Sequence, residues 1–392
     1  MSGSSSYLRG KRSESPAYLP KTPILVRISE RIAKRGSLAI VTDVDEATVL
    51  VRTENSLGCI TLNRPRAINA LDLGMIQQIT AALTAWVHDS DVQTVLIDGA
   101  GERGLCAGGD VRALYDQITA GAAERTADFF RAEYAMNALI AEYPKPIVVF
   151  ADGITMGGGI GLAGHAAVRI VTERSRLAMP ETRIGFTPDV GGTWLLGRAP
   201  GRLGEYFGLT GQSMSGADAV YLGFADHFVP SENLSSLREA LAYRADPGTP
   251  NEMTLLFDET PEPSELPAAR AWIDEAFSAD TVGEIVQRLR ASDAPDAASA
   301  LATLEELAPT ALAVTLDAVR EARQMSGVRD ALEGEYRRVM WFAHSHQDLP
   351  EGIRAQLVDK DRQPKWRPAT IAELTEDAGR PAREYVPQTP LF

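Results

Sequence analysis

The feature that most constrains this chain is a glycine cluster, since five of the nine residues from Gly153 to Gly161 are glycine. The cluster follows the apolar segment 146–151, which predicts a buried strand, and precedes an apolar, Ala-rich segment that predicts a helix. Glycine lets the backbone approach a ligand closely, and the N–H groups at the start of a helix face such a ligand. The cluster therefore predicts a turn that holds a phosphate or a developing oxyanion.

Two other interpretations of these glycines are open. Residues Gly159 to Gly164 fit the pattern G-x-G-x-x-G, and Glu181 follows at about the ~20-residue spacing of a dinucleotide-binding fold. In that fold the acidic residue ends the next strand, whereas the next predicted strand here ends near Thr172. The second alternative is a close crossing of helix and strand, which also requires small residues.

Apolar periodicity predicts an α/β fold with largely parallel strands. Short apolar segments predict a hairpin over 47–53 and 57–62 and further strands over 94–97, 146–151 and 168–172. Helical spacing predicts intervening helices from Leu71 to Val87 and over 124–142. Few strand signals follow residue 231, and helices are predicted over 235–244, 264–290, 309–323 and 327–342.

Composition divides the chain into three predicted parts. Residues 1–40 are rich in serine and carry eight Lys or Arg against two Glu, without the apolar stretch of a secretory signal. We expect this part to be a disordered or tag-like extension. Residues 41–230 are the predicted α/β core, and residues 231–392 are the predicted helical C-terminal region.

Charge and cysteine content exclude several classes of protein. The net charge of −14 gives no basic footprint for a general nucleic-acid binder. No apolar segment approaches the ~20 residues of a membrane helix. The two cysteines, Cys59 and Cys106, cannot form a disulfide framework. They favour a reducing compartment, and we expect a cytoplasmic location.

Two further clusters point to chemistry at one site. Residues 106–110 place Gly108 and Gly109 after the predicted strand 94–97, so this turn and the first glycine cluster could each supply one N–H to a single oxygen. Glu181 and Asp189 each follow a proline in mostly apolar surroundings. A carboxyl group in an apolar cleft has a raised pKa and can act as base, acid or nucleophile, although an acid on a surface loop is the simpler alternative.

Other candidate residues have simpler explanations. Cys106 could be a nucleophile, but no histidine is near it in sequence, and a packing role is favoured. His344 and His346 could bind a metal at a helix end, yet the sequence contains no H-E-x-x-H motif. It also lacks the G-x-S-x-G motif of serine hydrolases with an α/β-hydrolase fold. We therefore expect no metal.

Several segments together resemble the crotonase (enoyl-CoA hydratase/isomerase) superfamily. They are ITLNRPRAINAL at 60–71, LCAGGDVR at 105–112, the glycine cluster within 144–161, MPETRIGFTPDVGG at 179–192 and ADAVYLGFADHFV at 217–229. Within the superfamily the chain is most similar to the 3-hydroxyisobutyryl-CoA hydrolases. Gly161 stands where hydratases typically have a catalytic Glu, Asp189 stands where they usually have Gly, and residues 351–368 resemble the hydrolases' tail.

The resemblance implies a spiral of ββα units with a helical C-terminal region, and a substrate that is a short-chain β-hydroxyacyl-CoA thioester. The expected reaction is hydrolysis of 3-hydroxyisobutyryl-CoA in valine breakdown, with no cofactor because CoA is part of the substrate. By the same resemblance, Glu181 is the main catalytic carboxylate, Asp189 assists it, and the N–H groups of Gly109 and Gly158 form the oxyanion hole. The implied substrate-binding residues are Glu133, Arg66, Ala67, Ala107, Asp110 and Val111.

The resemblance also implies a homo-oligomer built on trimers, with neither nucleic acid nor membrane as a partner. Two alternatives remain at this point. One is an enoyl-CoA hydratase or isomerase that uses Glu181 alone or with Glu133. The other is a protein that binds acyl-CoA esters without turning them over.

Overall fold

An antiparallel hairpin begins the described part of the chain. The computed structural model describes residues 47–243 and 249–392, so the predicted extension over 1–40 lies outside the described residues. Strands β1 (Val49–Glu54) and β2 (Leu57–Leu62) pair in an antiparallel register. Asn55 in the turn has a φ of 52°, a left-handed conformation that asparagine tolerates. The predicted hairpin is confirmed.

The central sheet is parallel apart from this hairpin. Its order is β1-β2-β3-β4-β6-β8, with β2 parallel to β3 and every later pair parallel. A separate parallel pair is formed by β5 and β7. The remaining strands are β3 (Thr94–Gly99), β4 (Ile147–Phe150), β5 (Ile154–Met156), β6 (Val168–Val171), β7 (Arg176–Ala178) and β8 (His227–Phe228). The near-continuous apolar runs of β2, β3 and β4 suit strands that are covered on both faces.

Helices connect the strands and continue beyond them. Up to Ala242 the helices are α1 (Leu73–Trp86), α2 (Val111–Thr119), α3 (Thr126–Ala141), α4 (Gly158–Ala163), α5 (Gly192–Arg198), α6 (Leu203–Thr210), α7 (Gly216–Leu222) and α8 (Leu234–Ala242). From residue 249 onward they are α9 (Pro250–Thr254), α10 (Leu266–Phe277), α11 (Val282–Ala291), α12 (Ala297–Glu306), α13 (Pro309–Ala322), α14 (Val328–Ser345), α15 (Asp348–Ile353) and α16 (Arg380–Arg383). The division into a core and a C-terminal region near residue 230 stays a prediction.

The predicted helix over 264–290 is wrong in one respect, because the structure contains two helices there. Helix α10 ends at Phe277 and α11 begins at Val282. Thr281 caps α11 by accepting a hydrogen bond from the backbone N–H of Glu284, whose side chain bonds back to the backbone of Thr281. This reciprocal capping box satisfies N–H groups at the start of α11 and makes it a separate helix.

The two faces of the sheet are buried in different apolar clusters. Ile60, Ile97 and Val149 face the larger cluster, which also contains side chains of α1, α3 and the C-terminal helices. Cys59 and Leu96 face a smaller cluster that α8 covers. Successive side chains of a strand point to opposite faces of the sheet. Both sets of side chains are apolar because both faces are buried.

The C-terminal helices pack on α3, which carries Glu133, and on the two helices that follow Asp189. Helix α14 lies against α3, and α13 lies against α5 and α6. A single π-helical turn, Arg354–Val358, follows α15 and approaches α2. Leu357 in this turn therefore helps to line a cleft that is otherwise formed by residues 107–189.

Candidate active site

A cleft of about 230 Å³ lies where the two glycine turns meet. Eight of the ten residues that the sequence assigns to the site line it: Ala107, Gly109, Asp110, Val111, Glu133, Gly158, Glu181 and Asp189. Arg66 and Ala67 are exposed on the short turn Pro65–Ala67 and do not belong to the lining. That turn touches the cleft only indirectly, since Ala107 N–H donates to the carbonyl oxygen of Ile68 over 2.9 Å.

The glycine turns are held side by side by main-chain hydrogen bonds. Met156 N–H donates to Cys106 O over 2.9 Å, and a Cβ placed on Gly158 would lie 3.4 Å from the amide nitrogen of Gly109. Within residues 47–243 and 249–392, neither Gly109 N–H nor Gly158 N–H donates a hydrogen bond. Gly108 has a φ of 110°, which only glycine adopts readily. The geometry therefore leaves two neighbouring N–H groups available to one oxygen atom.

Glu181 lies in a 3₁₀ turn, Glu181–Ile184, directly after Met179 and Pro180. Its Oε1 is 3.0 Å from the position of a Cβ on Gly157, so the carboxyl group faces the second glycine turn. Its Oε2 is buried and has no hydrogen-bond partner among the described residues. Burial, followed by the charge of Asp189, raises the pKa of Glu181 well above its usual value.

Asp189 is held by a residue that the sequence did not single out. The Tyr134 hydroxyl on α3 donates a 2.9 Å hydrogen bond to Asp189 Oδ2. Burial raises the pKa of Asp189 to about 7, and the hydrogen bond from Tyr134 opposes that rise by stabilising the ionised form. Asp189 therefore changes its charge near neutral pH. Tyr134 is separated from Asp189 by 55 positions, and no sequence signal links the two.

Glu133 is the third acid of the cleft and lies on α3. Its Oε1 is buried without a partner among the described residues, and it is 2.6 Å from the position of a Cβ on Gly158. Burial, followed by the charge of Asp189, raises its pKa well above the usual value. Three acids in one low-dielectric cleft do not all ionise together at neutral pH. One can therefore act as a carboxylate while a neighbour keeps its proton.

Apolar side chains form the rest of the cleft. Phe130 and Phe186 stack with ring centroids 6.1 Å apart, and Phe129 lies beside Gly109. Leu357, from the π-helical turn of the C-terminal region, completes this wall. The wall offers a small acyl group an apolar surface to pack against.

Close packing of the backbone explains three glycines, which are Gly159 and Gly161 in α4 and Gly164 directly after it. A Cβ on Gly159 would lie 2.5 Å from Cys106 O, and one on Gly164 would lie 2.4 Å from Leu195 Cδ1. At Gly161 a Cβ would lie 2.7 Å from Asn137 Nδ2. Glu181 follows the separate pair β5–β7 rather than a strand of the central sheet. The position of Glu181 argues against a dinucleotide-binding turn.

The remaining candidates do not form a second site. Cys106 is fully buried, and its burial raises the pKa of the thiol to about 12, which disfavours a nucleophilic role. His344 Nδ1 is hydrogen-bonded to the Tyr385 hydroxyl over 2.8 Å. No group of three or more potential metal ligands occurs in the described parts of the chain. Arg64 lies near the cleft, but it pairs with Asp110 over 3.4 Å.

Comparisons with known proteins place this geometry in context. Residues 57–381 match the enoyl-CoA hydratase/isomerase family. The chain is 42% identical to the mitochondrial 3-hydroxyisobutyryl-CoA hydrolase of Xenopus laevis over 85% of this chain and 88% of that protein. The corresponding hydrolase of Danio rerio is 41% identical over 84% of this chain and 87% of that protein.

A solved structure with a similar sequence has the same fold. The carnitinyl-CoA dehydratase of Mycobacterium thermoresistibile is 47% identical and superimposes with a TM-score of 0.83. The match covers 88% of this chain and 98% of that one. The α/β crotonase-like fold with a helical C-terminal region is therefore confirmed.

One expectation about location is wrong. Both hydrolases are named mitochondrial, which contradicts the cytoplasmic location expected from the cysteine content. The physical reason is that two free, buried thiols fit any reducing compartment and do not single out the cytoplasm. Among the described helices, none is both long and apolar enough to cross a membrane.

Proposed function

The chain belongs to the enoyl-CoA hydratase/isomerase family, and from this premise we propose that it hydrolyses 3-hydroxyisobutyryl-CoA to 3-hydroxyisobutyrate and CoA. The names of the Xenopus laevis and Danio rerio relatives support this substrate and reaction. One observation carries the proposal. Glu181 and Asp189 share a cleft with two unpaired N–H groups, those of Gly109 and Gly158.

The two N–H groups form the oxyanion hole. The thioester oxygen accepts hydrogen bonds from Gly109 N–H and Gly158 N–H, and these bonds strengthen as the carbonyl becomes tetrahedral and its oxygen gains charge. A donor aimed at such an oxygen contributes about 3–4 kcal/mol to the stability of the transition state. Bound in this way, the carbonyl carbon lies on the side of the cleft where Glu181 Oε1 approaches Gly157.

In its ionised form, while a neighbouring acid keeps its proton, Glu181 supplies the carboxylate for either of two routes. As a nucleophile it attacks the carbonyl carbon, the C–S bond breaks, CoA leaves as a thiolate, and water then hydrolyses the resulting anhydride. As a general base it takes a proton from a water molecule, whose oxygen attacks the same carbon directly. Both routes consume one water and yield the free acid and CoA. Isotope transfer from labelled water into Glu181 during one turnover distinguishes them.

Asp189 and Glu133 assist Glu181 in this reaction. Asp189, held by Tyr134, orients the attacking water or the substrate hydroxyl. Glu133, whose raised pKa favours the protonated form, donates a hydrogen bond to the substrate. These residues perform the reaction with no metal or further cofactor.

The remaining assignments concern the CoA part of the substrate. Ala107, Asp110 and Val111 line the entrance. Arg66 and Ala67 contact the outer part of CoA, which their exposed position next to this entrance permits. Assembly of the chain into a homo-oligomer stays a prediction.

Release of free CoA, followed with a thiol reagent across a panel of acyl-CoA esters, tests the proposal. We expect 3-hydroxyisobutyryl-CoA to be turned over and Glu181→Gln to lose about 10²–10⁴-fold in kcat, because it lacks the carboxylate. The control is Glu142→Gln on the protein surface, where Glu142 pairs with Arg329 over 2.6 Å. Full thiol release by Glu181→Gln contradicts the mechanism.

The second candidate activity is hydration or dehydration of an acyl-CoA ester. The 47% identity to a carnitinyl-CoA dehydratase favours it. The two activities separate cleanly with crotonyl-CoA. Hydration removes the absorbance of the conjugated double bond without releasing thiol. That result, together with no thiol release from 3-hydroxyisobutyryl-CoA, rejects hydrolysis as the activity. Tight binding of the esters without any turnover identifies instead a protein that only binds acyl-CoA.

A further inference from the structure

The residue after Asp189 has an unfavourable backbone conformation. Val190 has a φ of 54°, in the left-handed region that β-branched residues rarely adopt. Such a residue costs about 1–3 kcal/mol and persists only where its surroundings hold it in place. Val190 is buried, so neighbouring groups surround it and can hold it in this conformation.

The next residues are held by one carboxyl group from the C-terminal region. Glu335 Oε2, on α14, accepts a 2.7 Å hydrogen bond from Gly191 N–H. Glu335 Oε1 accepts one from Thr193 N–H over 2.9 Å and one from the Thr193 hydroxyl over 2.5 Å. Both oxygens of one side chain are thus committed to the main chain that follows Asp189.

A histidine holds the other side of the same peptide. His165 Nε2 lies 2.8 Å from the carbonyl oxygen of Val190. Burial lowers the pKa of His165 to about 4, so the ring is neutral at pH 7 and donates its proton to that oxygen. The carbonyl of Val190 and the N–H of Gly191 belong to one peptide unit, which is therefore fixed at both ends.

Glu335 differs from a buried acid that serves stability alone. Glu205, on α6, is also fully buried, but it is surrounded by the guanidinium groups of Arg202, Arg320 and Arg323 at 2.8, 3.8 and 2.6 Å. Glu335 forms no ion pair with any residue in 47–243 or 249–392, and burial raises its pKa to about 8. A buried carboxylate without a cationic partner is costly unless other donors satisfy it, and here Gly191 and Thr193 supply those donors and oppose the rise of its pKa.

We propose that Glu335 is a positioning residue for the reaction, which holds Val190 in its left-handed conformation through Gly191 and Thr193 and so fixes the Asp189 carboxyl group beside Tyr134. The inference rests on the proposed role of Asp189. Glu335 does not line the cleft, so its effect on the substrate is exerted through the Asp189 loop.

Three variants test the proposal by thiol release. Glu335→Gln presents one acceptor oxygen and one NH₂ group, so one of the two N–H groups loses its bond. We expect kcat to fall at least tenfold while KM changes less than threefold, because the cleft wall is intact. Thr193→Val removes only the hydroxyl bond and should lower kcat severalfold, whereas Thr193→Ser keeps that hydroxyl and should restore the wild-type value.

Glu205→Gln is the matched control, since it alters another buried glutamate away from the cleft. We expect it to lower the midpoint of urea unfolding while the folded protein keeps its kcat. A Glu335→Gln protein that is folded and has wild-type kcat overturns the proposal. If that variant does not fold, the Thr193 pair decides: equal kcat for the Val and Ser variants also overturns it.

A crystal structure of the Glu335→Gln or Thr193→Val protein provides a readout independent of the substrate. We expect Val190 to leave the left-handed region and the distance from Tyr134 Oη to Asp189 Oδ2 to increase. An unchanged loop overturns the proposal. If the wild type does not hydrolyse 3-hydroxyisobutyryl-CoA, the proposed function fails, whereas this structural comparison still decides the role of Glu335.

Discussion

Substitution of Gly158 by alanine tests whether two N–H groups receive the thioester oxygen. The added Cβ would lie 3.4 Å from Gly109 N, 2.6 Å from Glu133 Oε1 and 3.3 Å from Leu71 Cδ1. The methyl group would therefore occupy the space between the two N–H groups. Gly158 starts α4 and its φ is not in the left-handed region, so alanine fits the local backbone.

The size of the effect follows from hydrogen-bond geometry. An oxyanion donor acts at about 2.7–3.1 Å from the oxygen, and loss of one donor costs about 10²–10³ in kcat. A carbon atom 3.4 Å from Gly109 N crowds the oxygen that this N–H group would receive. We therefore expect kcat to fall about 10²-fold. The added methyl group also crowds Glu133 Oε1, but this lowers kcat less, because the end of the Glu133 side chain can rotate away.

The assay is thiol release from 3-hydroxyisobutyryl-CoA at saturating substrate, with urea unfolding of each variant in parallel. Gly283→Ala on α11 is the matched control, because the nearest atom to its added Cβ is Thr281 Oγ1 at 3.9 Å. We expect this control to keep wild-type kcat and to gain about 0.5–1 kcal/mol in unfolding free energy. A folded Gly158→Ala protein with kcat within threefold of wild type refutes the assignment of the oxyanion hole.

Two further predictions concern Asp189 and pH. Tyr134→Phe removes the hydrogen bond that lowers the pKa of Asp189, so the limb of the pH–kcat profile that reports Asp189 should move to higher pH. Tyr143→Phe, whose hydroxyl donates to Leu83 O instead, should leave that profile unchanged, and equal profiles for both variants contradict the assignment. The folded pKa of Asp189, about 7, exceeds its usual value of 3.8, so the stability associated with this group is present at low pH and is lost as pH rises through about 7. Urea unfolding at pH 5 and pH 8 should show a smaller loss for Asp189→Asn than for wild type, and equal losses exclude a raised pKa.

Sequence patterns predict the fold because its strands are short, apolar and parallel. The strand signals at 94–97 and 146–151 lie close to the observed strands β3 and β4. The first glycine turn comes after β3, but Gly157 and Gly158 follow β5 in the separate pair. Main-chain bonding between β5 and Cys106, including the 2.9 Å bond from Met156 N–H to Cys106 O, brings the two turns together. The break between α10 and α11 was also readable, because Thr281 and Glu284 have the spacing of a capping box.

The supports of the acids were not predictable, because they depend on contacts between distant elements. Tyr134 reaches Asp189 across 55 positions, and Glu335 reaches Gly191 across 144. Glu335 bonds mainly to backbone N–H groups, which are present at almost every residue and leave no pattern in a sequence. Arg66 shows the opposite problem, since it is near the site in sequence but is exposed outside the cleft lining.

Leu357 lines a cleft built mainly from residues 107–189, and Glu335 bonds to the loop after Asp189, so both have a consequence for synthesis on the ribosome. The acids and both glycine turns lie in the first half of the chain, while Glu335 follows Asp189 by 146 residues and is made near the end of translation, as is Leu357. Until then the loop after Asp189 lacks its hydrogen bonds to Glu335, and the cleft lacks the part of its apolar wall that Leu357 forms. A nascent chain therefore carries the reactive groups for more than a third of its synthesis without the arrangement that makes them a catalyst.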